Sequence, residues 1–292
     1  MNRPNRLRPT MMNDFSEAEL FAEWTAGERN GFFSRLSRQE QQNLLYRWDF
    51  WVRPEQKSPA GDWSIWLIMA GRGYGKTRAG AEWVRSIAEG DGSARFALVG
   101  ANYAEARMVM VEGESGLLSI APPKQRPIWE PSLKRLTWNN GAQAHLYSAA
   151  EPEGLRGPQH SHGWCDEIAK WMNNAGQAEA AWDNLKMGLR LGYRPQLVAT
   201  TTPRPVPLLR ALVKNGDIAV SRGRTLDNDL HLPVAFLTAM TADYGGTRLG
   251  RQELDGELIE DVEGALWTRA MIEGCRVGRD VVRVEHSRGA SD

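Results

Sequence analysis

The sequence predicts an α/β fold, a mostly parallel central sheet layered between helices and preceded by small N-terminal helices. Three observations carry this expectation. The stretch Trp63-Ser64-Ile65-Trp66-Leu67-Ile68-Met69-Ala70-Gly71-Arg72-Gly73-Tyr74-Gly75-Lys76-Thr77 begins as an apolar run suited to a buried strand. It is then broken by three glycines and opens a helix-forming segment at Lys76-Thr77. Farther on, a short strand ends in the acidic pair Asp166-Glu167. A third strand, Pro195-Gln196-Leu197-Val198-Ala199-Thr200-Thr201-Thr202-Pro203, ends in three threonines.

Strand, glycine loop and helix in that order form the phosphate-binding P-loop arrangement. Glycines let successive backbone N–H groups turn inward around a polyphosphate, and the helix N-terminus adds its positive dipole end. Lys76 is then placed for the β- and γ-phosphates, and the Thr77 hydroxyl for Mg²⁺. The first glycine of G-x-x-x-x-G-K-[ST] falls on Ala70, so the motif is a relaxed Walker A. Its candidate ATP contacts are Ala70, Gly71, Arg72, Gly73, Tyr74, Gly75, Lys76, Thr77 and Arg78. The competing reading, a glycine-rich turn with a surface lysine, does not account for the flanking strand and helix. An Asp-Glu pair is by itself usually solvated surface; downstream of a P-loop in an alternating βα chain it is the Walker B arrangement. Asp166 then joins Thr77 at the metal, and Glu167 polarises the attacking water. The strand-end threonines Thr200, Thr201 and Thr202 suit a γ-phosphate sensor that passes its loss onward, and equally the plain preference of threonine for strands. The predicted fold class is therefore a P-loop NTPase three-layer αβα sandwich of the ASCE type.

Composition sets outer bounds. With 292 residues and 41% hydrophobic content the chain can bury a sizeable core, in one large domain or two small ones. Lys+Arg and Asp+Glu are equal at 36 each, so any nucleic-acid contact needs a local patch. Arginine far outnumbers lysine, a bias that fits a GC-rich genome better than a phosphate-binding role. Cys165 and Cys275 supply neither a disulfide framework nor a zinc cluster, which suits a reducing cytoplasm. No apolar run reaches the length of a membrane span, and no secretion signal opens the chain.

In chain order, residues 1–13 read as a disordered basic tail and 14–56 as a helical segment. There Ser16-x-x-Glu19 and Ser37-x-x-Glu40 are capping boxes ahead of Leu20, Phe21, Trp24 and of Leu44, Leu45, Trp48. Arg53 to Pro59 is expected to be an extended Pro-rich link, in which Gln56 can read an adenine edge or be a solvated loop residue. The core, 57–262, continues with a helix over 77–88, a strand over 96–99 and a helix over 101–111. A strand pair over 138–147 follows, turning at Asn139-Asn140-Gly141. The loop Ala149 to Pro158 sets Arg156 between two glycines, exposed. His160 and His162, two apart, would face one side of a strand, but no third metal ligand accompanies them. A helix over 172–191, the threonine strand, a helix over 208–214, a strand over 218–220, a turn over 225–228 and a final helical stretch complete the core. Residues 263–292 read as a linker stub.

The ensemble of Gly71 to Trp83, Leu155-Arg156-Gly157, Trp164-Cys165-Asp166-Glu167 and Thr200-Thr201-Thr202-Pro203 closely resembles the ATPase half of tailed-phage large terminase subunits. The nearest likeness is to those of prophages and gene transfer agents, from about Leu44 to Ile272, and the segment Thr247 to Glu257 resembles the family's exit from its ATPase core. The resemblance implies a motor that uses ATP and Mg²⁺ to thread double-stranded DNA into a capsid through a portal ring. Such a motor works as a homo-oligomeric ring with a small terminase subunit, in the host cytoplasm. At matching positions it implies Lys76 and Thr77 as the Walker A pair, Asp166 and Glu167 as Walker B, Thr200 to Thr202 as the coupling motif and Gln56 as an adenine contact. Arg156 becomes an arginine finger offered to the neighbouring subunit, with Arg72 as the competing candidate in cis. Family members carry a second, nuclease domain. This chain stops near where it should start, so no nuclease activity is expected of it. Two other readings stand beside the motor: a helicase-like P-loop enzyme, against which the Leu155-Arg156-Gly157 loop counts, and a catalytically silent remnant that keeps only interaction surfaces.

Overall fold

The computed structural model describes residues 15–171 and 176–260, together with Met271 and Cys275. The predicted basic tail and nearly all of the predicted linker stub lie outside the described residues. The chain divides into two compact units, Met1–Leu258 and Ile259–Asp292.

Four short helices come first: α1 (Glu17–Ala22), α2 (Ala26–Phe33), α3 (Arg38–Leu44) and α4 (Trp48–Trp51). The two expected capping boxes form, Ser16 with Glu19 and Ser37 with Glu40, and Thr25 with Glu28 makes a third. Each side chain satisfies backbone N–H groups that so short a helix would leave unpaired. Ala18, Leu44 and Phe50 close a small core of their own, edged by Phe21, Phe32 and Trp51.

The centre is an eight-stranded sheet in the order β3-β4-β5-β2-β6-β7-β1-β8. Its strands are β1 (Ile65–Ala70), β2 (Arg95–Gly100), β3 (Ile128–Glu130), β4 (Arg135–Thr137), β5 (Gln143–Ser148), β6 (His162–Cys165), β7 (Gln196–Thr201) and β8 (Ala219–Gly223). All neighbours are parallel except the β3-β4-β5 meander. β1 is buried along its whole length, so its alternate side chains feed two layers. Trp66, Ile68 and Ala70 join the core beneath α5 (Lys76–Gly90), and Ile65, Leu67 and Met69 join the core beneath α7 (Gln177–Gly188) and α8 (Pro207–Lys214). The three-layer sandwich predicted from sequence is thus present. β7 lies between the P-loop strand β1 and the acidic-pair strand β6, in register with both (Met69 opposite Thr201, Cys165 opposite Ala199).

Close helix–sheet contact is decided at Gly80. A Cβ there would stand 2.4 Å from the indole Nε1 of Trp164, which is fully buried on β6. Gly80→Ala would gain up to about 1 kcal/mol of helix propensity but force overpacking that costs about 1–3 kcal/mol. A net loss of stability is expected, read by chemical denaturation.

Several expectations need correction. The 101–111 helix is one turn, α6 (Tyr103–Glu105), followed by a π-helix over Ala106–Val111. The wider turn brings residues four and five apart under one face, and Ala106, Met110 and Val111 are all buried. The hairpin turns at Gly141 as expected (φ +100°), but its first strand lies at 135–137, because Trp138 to Ala142 form the turn. The short edge strand β3 has no counterpart among the expected elements. The helix expected over 172–191 spans Gln177–Gly188, and residues 172–175 lie outside the described residues. Arg53 to Pro59 is not a plain extended link: Pro54–Gln56 is a 3₁₀ turn that buries Arg53 and Gln56. His160 and His162 do not share a side, since the strand starts only at His162. His162 stacks on Phe96 in one layer, while His160 meets Tyr147 on the other. Burial lowers both imidazoles to about 4. The final helical stretch comprises α9 (Val234–Tyr244) and α10 (Arg248–Glu253). No described helix is long and apolar enough to cross a membrane.

Candidate functional site

Parallel strands deliver their C-terminal ends to one edge of the sheet, and there the motif residues meet. The P-loop leaves β1 at Ala70. Gly73 and Gly75 take left-handed conformations (φ +73° and +96°), and α5 starts at Lys76. The Lys76 ammonium, buried, donates to the carbonyls of Ala70 and Gly71 (both 3.1 Å) and to Thr202 Oγ1 (2.9 Å). It lies 3.5 Å from Glu167 Oε1. Burial pulls its pKa below the usual lysine value, and the charges of Glu167 and Asp166 oppose that shift.

The acidic pair follows β6. Asp166 Oδ1 accepts from Thr200 Oγ1 at 2.8 Å and stands 3.5 Å from Thr77 Oγ1. Burial, then the neighbouring Glu167, push its carboxyl up to about 6. Glu167 holds a left-handed backbone (φ +49°), one of two non-glycine residues to do so among those described. Such a conformation costs on the order of 1–3 kcal/mol and persists only where surroundings impose it. Here the Glu167 carboxylate accepts from the Thr202 N–H (3.0 Å) and hydroxyl (3.3 Å). Thr201 turns its hydroxyl elsewhere, accepting from the Ala169 N–H at 3.1 Å. Two of the three threonines therefore touch the acidic pair directly, and the third braces the backbone just beyond it.

Lys76, Thr77, Glu167 and Thr202 line a cleft of about 750 Å³, with Asp166 buried behind them. Its cationic lining is Arg53, Arg72, Lys76, Arg78, Lys170 and Arg204, against two carboxylates, Glu114 and Glu167. Leu45, Trp48, Trp51 and Leu232 form an apolar side. Arg78 is paired with Glu82 (2.7 Å) and Lys170 with Glu105 (3.0 Å). Hard oxygen donors at Thr77 and Asp166, beside a buried lysine, are the donor set that Mg²⁺ and a polyphosphate require.

The remaining predicted residues fall unevenly. Gln56 borders the cleft but is buried. Its Nε2 sits 3.3 Å from the carbonyls of both Tyr74 and Gly75, and its Oε1 accepts from the Arg53 N–H. Tyr74 is buried with its ring under Arg53, and burial raises its phenol to about 12. Arg156 is exposed, 3.6 Å from Glu153, and is not part of its own chain's cleft lining. Arg72 is part of that lining.

Sequence reasoning missed the outer clasp of the P-loop. Arg53 donates to the Tyr74 carbonyl and to Asn228, and Asn228 donates to the Gly73 carbonyl (2.6 Å). Thr225 Oγ1 donates to the Arg72 carbonyl (2.7 Å), and the Arg72 N–H donates to the Glu253 carbonyl (2.7 Å). Beside this clasp the chain passes Gly256. It has φ +70°, and a Cβ there would lie 2.7 Å from the Gly223 carbonyl and 3.0 Å from the Gly71 nitrogen.

The sequence profile of the family described as "Terminase large subunit, T4likevirus-type, N-terminal" matches residues 67–273. The chain belongs to the terminase large-subunit family. Among solved structures, the large terminase of a thermophilic bacteriophage, in complex with ADP, superposes with a TM-score of 0.55 at 16% identity, over 75% of this chain and 53% of that one. The large terminase ATPase domain of Thermus phage P74-26 gives 0.51 at 14% identity, over 67% and 88%. At such identities the likeness establishes the fold. This terminase chain spans about half the length of the first of these two proteins. A search of curated protein sequences found no match.

Proposed function

We propose that this terminase chain is the ATP-hydrolysing motor portion of a DNA-packaging large subunit, driving double-stranded DNA into a capsid. The observation that carries the reading is the convergence of Lys76, Glu167 and Thr202 at one cleft, with Thr77 and Asp166 3.5 Å apart beside them. The six cationic side chains against two carboxylates in the lining suit a polyphosphate.

In this reading Lys76 trades its loop carbonyls for phosphate oxygens, and Thr77 and Asp166 hold Mg²⁺, which supplies charge neutralisation when bound. Glu167, oriented by two hydrogen bonds from Thr202, takes the proton of the attacking water. Thr202 touches both Lys76 and Glu167, so it registers a change at either. Ala70 through Arg78 form the cradle, and Gln56 supports it from beneath while bordering the base side of the cleft. Arg72, in the lining, is the arginine available in cis. Arg156, exposed away from its own cleft, suits a neighbour's site in a homo-oligomeric ring. Portal protein, small terminase subunit and a host-cytoplasmic place on the procapsid complete the proposal.

Lys76→Ala tests it. With the buried ammonium gone, affinity for a non-hydrolysable ATP analogue is expected to fall on the order of tenfold or more, the worth of a charge-assisted contact. Turnover should fall with it. Unchanged binding, measured by calorimetry on a variant with a wild-type melting curve, would remove the site assignment.

A further inference from the structure

Each cation of the cleft has a visible commitment, and two of them share one. Arg53 is tied to the Tyr74 carbonyl and Asn228, Arg78 to Glu82, Lys170 to Glu105 and Lys76 to the P-loop carbonyls and Glu167. Arg72 and Arg204 both turn to Glu253. The Arg72 Nε–H donates to Glu253 Oε2, and Arg204 Nη2 stands 4.0 Å from Glu253 Oε1. Glu253 is itself absent from the cleft lining and its side chain is only 13% exposed, against 62% for Arg72 and 43% for Arg204. Gln252 donates to Glu253 Oε1 at 3.0 Å, and the Arg72 N–H donates to the Glu253 carbonyl at 2.7 Å. The carboxylate therefore sits behind the two arginines with its backbone fixed to the loop that carries one of them.

We propose that Glu253 is a positioning residue of the triphosphate site, holding Arg72 of the P-loop and Arg204 of the segment after β7 at fixed places on the cleft wall. This rests on the nucleotide reading of the cleft. Its place in the fold joins three pieces: the loop that cradles phosphate, the strand that reaches the acidic pair, and α10, the last helix of the first unit. Long arginine side chains lose much rotamer freedom when fixed, and a shared buried partner removes that loss before any ligand arrives. The same carboxylate also withdraws one unit of positive charge from beside the phosphates. Positioning and raw attraction are therefore opposed at this residue, and a substitution that keeps shape while removing charge separates them.

Glu253→Gln is that substitution, since the amide keeps the side-chain volume and the backbone bond to Arg72. Measured with a non-hydrolysable ATP analogue by calorimetry, binding should tighten by roughly threefold or more, because a screened carboxylate beside the anion has been removed. Turnover of ATP should fall by about tenfold or more, because the two arginines are no longer held for the transition state. In an Arg72→Ala/Arg204→Ala background, adding Glu253→Gln should change turnover by less than about twofold, the non-additivity expected of residues that act together. Loss of affinity and turnover in parallel with a lowered melting temperature would reduce Glu253 to a structural contact and overturn the assignment. So would full additivity with the Arg72→Ala/Arg204→Ala pair. If the unsubstituted chain binds the analogue and Lys76→Ala abolishes that binding, yet Glu253→Gln changes neither quantity, this inference fails alone. If the unsubstituted chain binds none, the nucleotide reading fails and takes this one with it.

Discussion

Glu167→Gln is expected to lower ATP turnover by about 10²–10⁴-fold while leaving nucleotide affinity within a few-fold of wild type, the range for removal of a general base. The substitution preserves what positions the side chain, because an amide oxygen can still accept from the Thr202 N–H at 3.0 Å. What it removes is the charge that faces Lys76 at 3.5 Å and the ability to take a proton. Binding should survive because the cradle and the lysine are intact. The melting temperature should also hold, since the carboxylate keeps 24% exposure and does not anchor the core. Phosphate release by purified protein, read beside analogue binding, separates these effects. Turnover that persists in a variant shown to bind nucleotide would mean that another group activates water.

Trp164→Ala carries the second large effect, on folding. The side chain is fully buried beneath α5, and the ring that Gly80 accommodates belongs to β6, the strand that Asp166 follows. Truncating a buried tryptophan costs about 3–5 kcal/mol through lost burial and a residual cavity. For a unit of this size that is roughly 6–20 °C in melting temperature. Trp164→Phe, which keeps most of the volume, should lose much less. A Trp164→Ala protein that melts like wild type would mean that α5 and β6 are not packed as described.

Much of the site was legible in the sequence because its chemistry is local. Glycines at 71, 73 and 75 followed by Lys76, an acidic pair closing a strand, and threonines closing another all declare themselves within a few residues. Strand order was less accessible, yet it matters as much, since β7 rather than β6 lies beside β1. The clasp around the P-loop was not legible. Arg53 and Asn228 are 175 residues apart, and Arg72 and Glu253 are 181 apart, so no spacing rule links them. The same limit explains Gln56. In sequence it is a polar residue between prolines, and only the fold shows that its amide is already engaged by loop carbonyls. The histidine pair failed for a different reason: period-two alternation holds only within a strand, and His160 precedes it.

The Thr202 hydroxyl has a single proton. With the Lys76 ammonium donating to its oxygen at 2.9 Å, that proton is directed to Glu167 at 3.3 Å. Ammonium, hydroxyl and carboxylate thus form a one-way relay whose polarity is fixed at its lysine end. Draw the ammonium away and the hydroxyl is free to rotate, so the carboxylate loses a donor without having moved.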